Sequence, residues 1–547
     1  MIPMDARVVM LGDSAWLVVW PPGAKLDARL AEVHAVMRVL EDAPGRPHGV
    51  LGVAGAFESL AVRYDAYEAD AEAVREWLVQ ALGRADVTGG FHGTEHEIPV
   101  CYGDGGDLFH VAREVGLTED EVVTRHSAAG YTVAMVGFSP GFPYLSGLPE
   151  ELRVRRLATP RNRVEAGAVA IAGEQAGIYP CASPGGWRVL GRTGVCLFDP
   201  ARTGGESLLA AGDRVRFLPV RTLKVTEPER VEVASRADIE VLEPGFFTTV
   251  QDAGRPDFEH IGVSPGGAMD VEALRVANIL LGNAMDAAAL EVTVNGPVLK
   301  FAVDSRVVLV GADAAGGLRH GRAVTVAAGN VLVVGPLTGA MRAVLAVAGG
   351  IDVPRVMGSR STDVRAGFGG PAGRPLIAGD ALRLGEVAPE NAPAAVQGVG
   401  LANPVGREVV IRTLDGPQVY WFCDETVERF YCESYEMTTR QDRMGVRLHG
   451  VRMESTGDRQ MRSQPVATGS IQLPPDGRPM VLMAERQTHG GYPQIGCVIT
   501  PDVPLLARAL PGTRIRFRRV EPEEARSATR KAARDLQWLR AGLSCRE

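Results

Sequence analysis

Lysine is almost missing from this chain. Among 547 residues only Lys25, Lys224, Lys300 and Lys531 occur, within 58 basic side chains in all. No Gly-Lys pair exists, so a Walker-A phosphate loop is excluded. Any phosphate or carboxylate must be met by arginine, whose planar fork suits both. Cysteine is sparse: seven residues, an odd number, with no C-x-x-C spacing. That pattern argues against a disulfide framework or zinc ribbon and for reduced thiols. No apolar run approaches the ~18 residues of a membrane span. The opening MIPMDARVVM lacks the basic, apolar and cleavage regions of a leader. A cytoplasmic protein with no membrane contact is therefore expected. The net charge of −8 argues against nucleic acid as a partner. His92 and His96 are four apart, but Gly93 and Thr94 make a helix between them doubtful, so no metal site is expected.

The chain has instead many short hydrophobic runs punctuated by 65 glycines and 36 prolines. Hydrophobic residues make up 46% and mean hydropathy is +0.02, as in ordinary globular cores. At ~150 residues per domain, three or four domains are expected. Residues 1–90 read as a small α+β module: strand-like runs at 7–11, 15–19, 49–54 and 59–64, with amphipathic helices at 27–40 and 70–82. Residues 91–222 change to short strands between Gly and Pro, the texture of a barrel, after a helix that opens on the capping box Thr118–Glu121. Residues 223–238 are charged and read as a linker. Residues 239–520 resume β texture, interrupted by a Pro/Ala-rich stretch at 386–405, and 521–547 form a helical tail. The predicted class is mainly β with α+β.

Aromatic residues are only 6% of the chain, yet three fall in GFSPGFPYLSGLP at 137–149, with three glycines and three prolines. Proline and glycine there exclude helix and central strand, so this is a stiff loop. Phe138, Phe142 and Tyr144 either cap a barrel end or wall a ligand. Arg161, Arg163, Arg188 and Arg192 lie near glycine loops and are candidates for phosphate or carboxylate. In the second half, TTVQDAGRPDFEHIGVSPGGAMD (248–270) holds Asp252, Arg255 and Ser264 on a Gly/Pro-punctuated segment. RQDRMGVR carries Asp442 and Arg443, and ERQTHGGYPQ carries Gln487, His489 and Tyr492. Polar side chains on rigid glycine loops are what a small-molecule site needs. A weak internal repeat aligns AGAVAIAGEQAGIYP (166–180) with TGSIQLPPDGRPMVLMAERQTHGGYP (468–493). It reads either as chance in a Gly- and Pro-rich chain or as two related barrels. On the second reading Gln175 and Gln487 are counterparts, each ahead of a Tyr-Pro (Tyr179, Tyr492), and PPDG is an extra hairpin turn.

These stretches resemble a known pair of families. Residues 98–218, through HSAAGYTVAMVGFSPGFPYLSGLP, TPRNRV, AGAVAIAGEQAGIYP and SPGGWRVLGRT, resemble allophanate hydrolase subunit 1, also known as the B component of 5-oxoprolinase. Residues 239–518, through TTVQDAGRPDFEHIGVSPGGAMD, LAVAGGIDVP, GSRST, QDRMGVRL and QTHGGYP, resemble allophanate hydrolase subunit 2, the C component of 5-oxoprolinase. Gln441 stands where the families usually have Ser, and His489 where they have Thr. The resemblance implies two cyclophilin-like β-barrels in tandem, the first preceded by the α+β module. It implies either of two activities. One is ATP-dependent activation of 5-oxo-L-proline, with magnesium, for ring opening to L-glutamate by a separate A component. The other is carboxyl transfer to urea or a related amide with a separate biotin carboxylase and biotin carrier, since no biotin-attachment Ala-Met-Lys-Met is present. A kinase-regulating role ranks below both, and a homo-oligomer is compatible with all three. All amide substrates of this kind pair a C=O with an N–H, which Gln175 and Gln487 can each meet. The expected catalytic group is thus Gln487, His489, Asp442, Arg443 and Asp252. Phe138, Phe142, Tyr144, Gln175, Tyr179, Ser264 and Tyr492 would line the substrate, and Arg161, Arg163, Arg192 and Arg255 would hold anionic oxygens.

Overall fold

A computed structural model describes residues 6–21, 25–86, 93–104, 106–225, 237–386, 406–455 and 461–544. The predicted linker core and most of the Pro/Ala-rich stretch, like His92, lie outside the described residues. The N-terminal module matches its sequence pattern closely. Strands Arg7–Met10, Ala15–Val19, Val50–Gly55 and Ser59–Tyr64 form one antiparallel sheet. Helices Leu26–Asp42 and Ala71–Arg84 pack their apolar stripes (Val33, Val36, Leu40; Val74, Leu78, Leu82) into one core with Trp16 and Trp20. The second helix starts at Asp70, whose carboxylate accepts from the Glu72 and Ala73 amides.

The first barrel closes from seven strands, and its last strand, Arg214–Pro219, runs parallel to its first, Glu95–Tyr102. The second barrel repeats this topology around the same circle. Glu408–Asp415 lies parallel to Arg514–Arg519, and every other neighbour is antiparallel. The duplication reaches the core. In the first barrel the Tyr131 hydroxyl donates to the His126 carbonyl and Phe217 stacks on His126 at 4.8 Å. In the second the Tyr435 hydroxyl donates to the Phe430 carbonyl and Phe517 stacks on Phe430 at 4.8 Å. The repeat in the sequence is therefore structural, but its register differs from the sequence alignment. Gln175 pairs with Ala172 across the first hairpin, and its counterpart across the second is Met480, paired with Gln472. Gln487 lies further on, beyond that hairpin. The inserted PPDG does form the hairpin turn, with the Gly477 amide donating to the Pro474 carbonyl.

Between the barrels, residues 239–386 form two five-stranded sheets around a shared core of Val241, Leu299, Val250, Leu290, Leu309 and Leu345. The tail is a helix, Pro522–Ser544, and Leu536 packs with helix Val271–Leu281.

The two halves complete each other. Ile261, Val263 and Phe368 of the second half are part of the first barrel's hydrophobic core. Arg462 bridges Glu58 of the N-terminal module (2.7 Å) and Glu174 of the first barrel (2.8 Å). Asp13 accepts from the Thr500 hydroxyl at 2.7 Å and the Thr529 hydroxyl at 3.0 Å, tying the module to the second barrel and the tail. Cutting the chain between 225 and 237 should therefore give two fragments that co-purify when co-expressed, because each keeps most of its own core. Ile261→Asp should abolish the co-purification, and gel filtration of the affinity-captured pair measures both. Fragments that stay apart would contradict this interlocked core.

Candidate functional site at the seam of the two halves

Two loops with the same sequence pattern meet at the seam. Gly137-Phe-Ser-Pro-Gly141 comes from the first barrel, and Gly262-Val-Ser-Pro-Gly266 from the second half. Val136 bridges Ile261 in parallel, and the Gly141 amide donates to the Ile261 carbonyl at 2.9 Å. Gly262 faces the Ser139 carbonyl so closely that a Cβ there would collide with it, and its φ of 81° also suits glycine. The sequence signal for this pair is Gly-x-Ser-Pro-Gly, present at both places. Each has the G-x-S-x-G form of a nucleophile elbow. Ser139, however, lies between strands Tyr131–Val136 and Pro143–Ser146 rather than ahead of a helix. The Ser264 hydroxyl donates to the Ala484 carbonyl at 3.0 Å.

Behind these loops sits Arg255, fully buried. Its Nη2 donates to the Ser361 carbonyl, and its guanidinium lies 4.9 Å from the centre of the Phe368 ring. Gly266 and Gly369 approach it, both at positive φ, and a Cβ on either would crowd its Nη atoms. Nε and Nη1 have no partner among the described residues. Burial lowers its pKa, opposed chiefly by the Asp363 carboxylate. Asp363 and Arg365 also face Cys181, whose thiol is pushed up by burial.

Two buried ion-pair networks lie near the seam, one within the second half and one that crosses to the first. Arg443 donates to Glu485 at 2.6 Å, to Glu291 and to the Gly267 carbonyl at 2.6 Å. Arg486 donates to Glu259 at 2.6 Å, and Glu259 also pairs with Arg63 of the N-terminal module. Burial alone would raise the Glu259 carboxyl, but Arg486 and Arg63 outweigh it and hold it below the usual range. His489 is buried beside this network. Its Nε2–H donates to the Gly55 carbonyl at 3.0 Å, and the Thr488 hydroxyl donates to its Nδ1 at 2.9 Å. Its ring fills the place a Gly137 side chain would take. Burial pushes its pKa down to about 4, so the ring is neutral.

The expected site residues thus separate. Arg255 and Ser264 come together at the seam. Arg443 and His489 are there too, but with their hydrogen-bonding groups engaged, as pins rather than acid–base groups. Asp442 caps a turn, accepting from the Met444 and Gly445 amides at 2.8 and 3.0 Å. Asp252 is held by the Ser359 and Ser361 hydroxyls, each at 2.6 Å, and the Arg360 amide at 2.6 Å. It borders a cavity of about 350 Å³, also lined by Arg355, Arg360, Asp286, Asp352 and Glu386. Phe142, Tyr144 and Tyr179 pack with Trp187 and Phe57 into a closed cluster on the first barrel's outer face. They fill space rather than wall a ligand, and Phe138 sits half-buried at their edge with φ of 70°. Arg161 pairs with Asp107 at 2.7 Å, exposed Arg163 with Glu165 at 2.8 Å, and Arg192 donates to the Ala166 carbonyl at 3.2 Å. All three serve their own barrel. Gln175 is half-buried beside Glu174, Gln487 half-buried and Tyr492 exposed.

Known proteins match this arrangement. The family model described as carboxyltransferase domain, subdomain C and D, matches residues 6–208, and that of subdomain A and B matches residues 261–519. The second half is 38% identical over 306 residues to the C component of 5-oxoprolinase from Escherichia coli, 55% of this chain and 97% of that protein. The first is 39% identical over 214 residues to the B component of 5-oxoprolinase from Haemophilus influenzae, 39% of this chain and 97% of that protein. Urea amidolyase of Lachancea kluyveri is 31% identical over 55% of this chain, but this covers only 18% of that protein. The crystal structure of TTHA0988 superposes with a TM-score of 0.80 at 34% identity, covering 92% of this chain and 99% of that one. The chain belongs to the carboxyltransferase-domain family that includes the B and C components of 5-oxoprolinase. Its first half is B-like and its second C-like, joined in one polypeptide. Among the described residues no helix is long and apolar enough to cross a membrane.

Two outcomes follow from the seam. Arg443→Met leaves Glu291 and Glu485 buried without their cation and should cost about 3–5 kcal/mol of unfolding free energy in denaturant melts. A wild-type midpoint would contradict the keystone role. For His489, the folded pKa of about 4 lies below the unfolded 6.5. Its contribution is complete above pH 6.5 and is lost as pH falls towards 4, because the unfolded chain binds the proton first. His489→Gln should shrink the loss of stability between pH 7 and 4 by roughly 2–3 kcal/mol. An undiminished loss would show that this imidazole is not the buried, neutral group described.

Proposed function

We propose that the chain is the joined B and C component of an ATP-dependent 5-oxoprolinase. It activates the lactam of 5-oxo-L-proline so that a separate A component opens the ring to L-glutamate in the cytoplasm. The observation that carries this reading is the seam itself. Portions similar to two separately named components share one core, and behind their junction the second half holds Arg255, whose unused donors suit the carboxylate of oxoproline. The cavity beside Asp252 is the best-placed room for nucleotide. Four carboxylates (Asp252, Asp286, Asp352, Glu386) face two arginines there, so a polyphosphate would enter only with a divalent cation such as magnesium.

The second reading, carboxyl transfer to urea or a related amide, rests on the carboxyltransferase family models and the urea amidolyase match. It requires a biotin carboxylase and a biotin carrier on other chains.

The two readings separate in one assay. With an A-type partner present, ATP hydrolysis should depend on 5-oxoproline, and Arg255→Gln should raise the KM for 5-oxoproline about tenfold to hundredfold. ATP-independent transfer of carboxylate from carboxybiotin to urea, with no oxoproline-dependent hydrolysis, would establish the alternative instead.

A further inference from the structure

The outer face of the second barrel carries polar groups that the fold leaves unfinished. Gln472 and Gln494 are cross-strand partners on strands Ser470–Gln472 and Gln494–Val498, and both are fully buried. Among the described residues, neither the Oε1 nor the Nε2 of either side chain has a hydrogen-bond partner. An orphaned buried amide group lowers the stability of a fold. A fold that only needed packing here would use apolar residues, as the first barrel does. The corresponding outer face there holds Ala170, Ala172 and Trp187 under a sealed aromatic cluster.

The surroundings of the two amides are those of a small-molecule subsite. Val466, Met480 and Leu482 make a separate apolar floor on this face. Gln418 and Gln464 close one side by exchanging amide hydrogen bonds at 3.1 and 3.2 Å. Nearby, Gln487 is half-buried and Gly491 and Tyr492 are exposed. Gly490 stands over the pair. A Cβ there would collide with Gln472 Nε2 and come within 2.9 Å of Gln487 Nε2. Its φ is not in the left-handed region, so the missing side chain serves to let the Gln472 amide sit against the backbone.

We propose that Gln472 and Gln494 bind the planar amide of the substrate, a lactam or ureido group with C=O and N–H side by side. One carboxamide donates Nε2–H to the substrate carbonyl while the other accepts the substrate N–H at Oε1, which completes groups the empty fold leaves unpaired. Gln487, the residue singled out by the sequence repeat, stands nearby. This deepens the reading of the chain as an amide-activating component and rests on it for the substrate class, but the site is tested by binding alone.

Calorimetric titration of the full chain with 5-oxoproline, urea and biotin identifies which amide is taken, with proline, which lacks the ring carbonyl, as control. Wild type should bind at least one amide probe and not proline. Gln472→Leu, Gln494→Leu and Gly490→Ala should each weaken that binding at least about tenfold. The two leucine variants should also melt at or above the wild-type temperature, because each removes unsatisfied polar atoms. Lower melting temperatures in both would mark the amides as structural and overturn the proposal. So would unchanged affinity in a folded Gln472→Leu, or no binding of any amide probe to wild type. Urea or biotin binding that needs the glutamines, without 5-oxoproline binding, keeps the site and sinks the oxoprolinase reading.

Discussion

The arrangement depends on buried arginine–carboxylate pairs at the seam. Arg443 joins Glu485 of the second barrel to Glu291 of the two-sheet unit, and Arg486 joins the second barrel to Glu259 and, through it, to Arg63 of the N-terminal module. A charge removed from water costs least when it is paired and hydrogen-bonded. The first network therefore fixes the second barrel against the two-sheet unit, and the second fixes the second half against the N-terminal module. Apolar contacts such as Ile261 and Phe368 in the first barrel's core supply adhesion. The Arg486–Glu259–Arg63 chain links the halves in the alignment in which the two Gly-x-Ser-Pro-Gly loops touch.

Duplication followed by divergence explains much of the rest. The two barrels share strand order, the parallel closure of first and last strands, and the same stacked ring pair in the core. Their interiors are constrained alike by packing density, and they have stayed alike. Their outer faces are not constrained by closure. On the first barrel that face is filled by Phe142, Tyr144, Tyr179 and Trp187 and covered by Phe57 of the N-terminal module. On the second it carries glutamines. Both barrels meet the N-terminal module, but only the second keeps a pair of buried glutamines unsatisfied on this face.

Much of this architecture is legible in the sequence, and where legibility fails the cause is physical. The N-terminal strands and helices follow from period-2 and period-3.6 patterns, and the Thr118 capping box forms with both of its hydrogen bonds. The repeat is visible too, because glycine and proline at turns leave a trace. Its register is not: the eye matches Gln to Gln, whereas the ladder matches Gln175 to Met480 through the hairpin. The candidate site is legible as a set of loops but not as a set of roles. Arg255 and Arg443 look alike in sequence, as do Asp252 and any catalytic carboxylate. What separates them is whether neighbours distant in the chain use up their hydrogen bonds. The two-sheet unit between the barrels reads only as β texture, since its strands recur without a turn motif that marks a domain edge.

That distinction also orders the polar groups by what they can do. Asp252, with two hydroxyls and backbone amides on its carboxylate, and Arg443, with two carboxylates and a carbonyl on its guanidinium, have little capacity left for a ligand. They hold shape. Arg255 and the Gln472–Gln494 pair are as deeply buried, yet keep donors and acceptors free among the described residues. A folded chain tolerates such groups at a cost in stability. Their placement is also uneven. The cation lies in a glycine cradle of the second half, behind the junction, and the amides lie on one face of one barrel. Arg255 suits a carboxylate and the glutamine pair suits a planar amide, two separate chemistries that the second half of the chain keeps unspent.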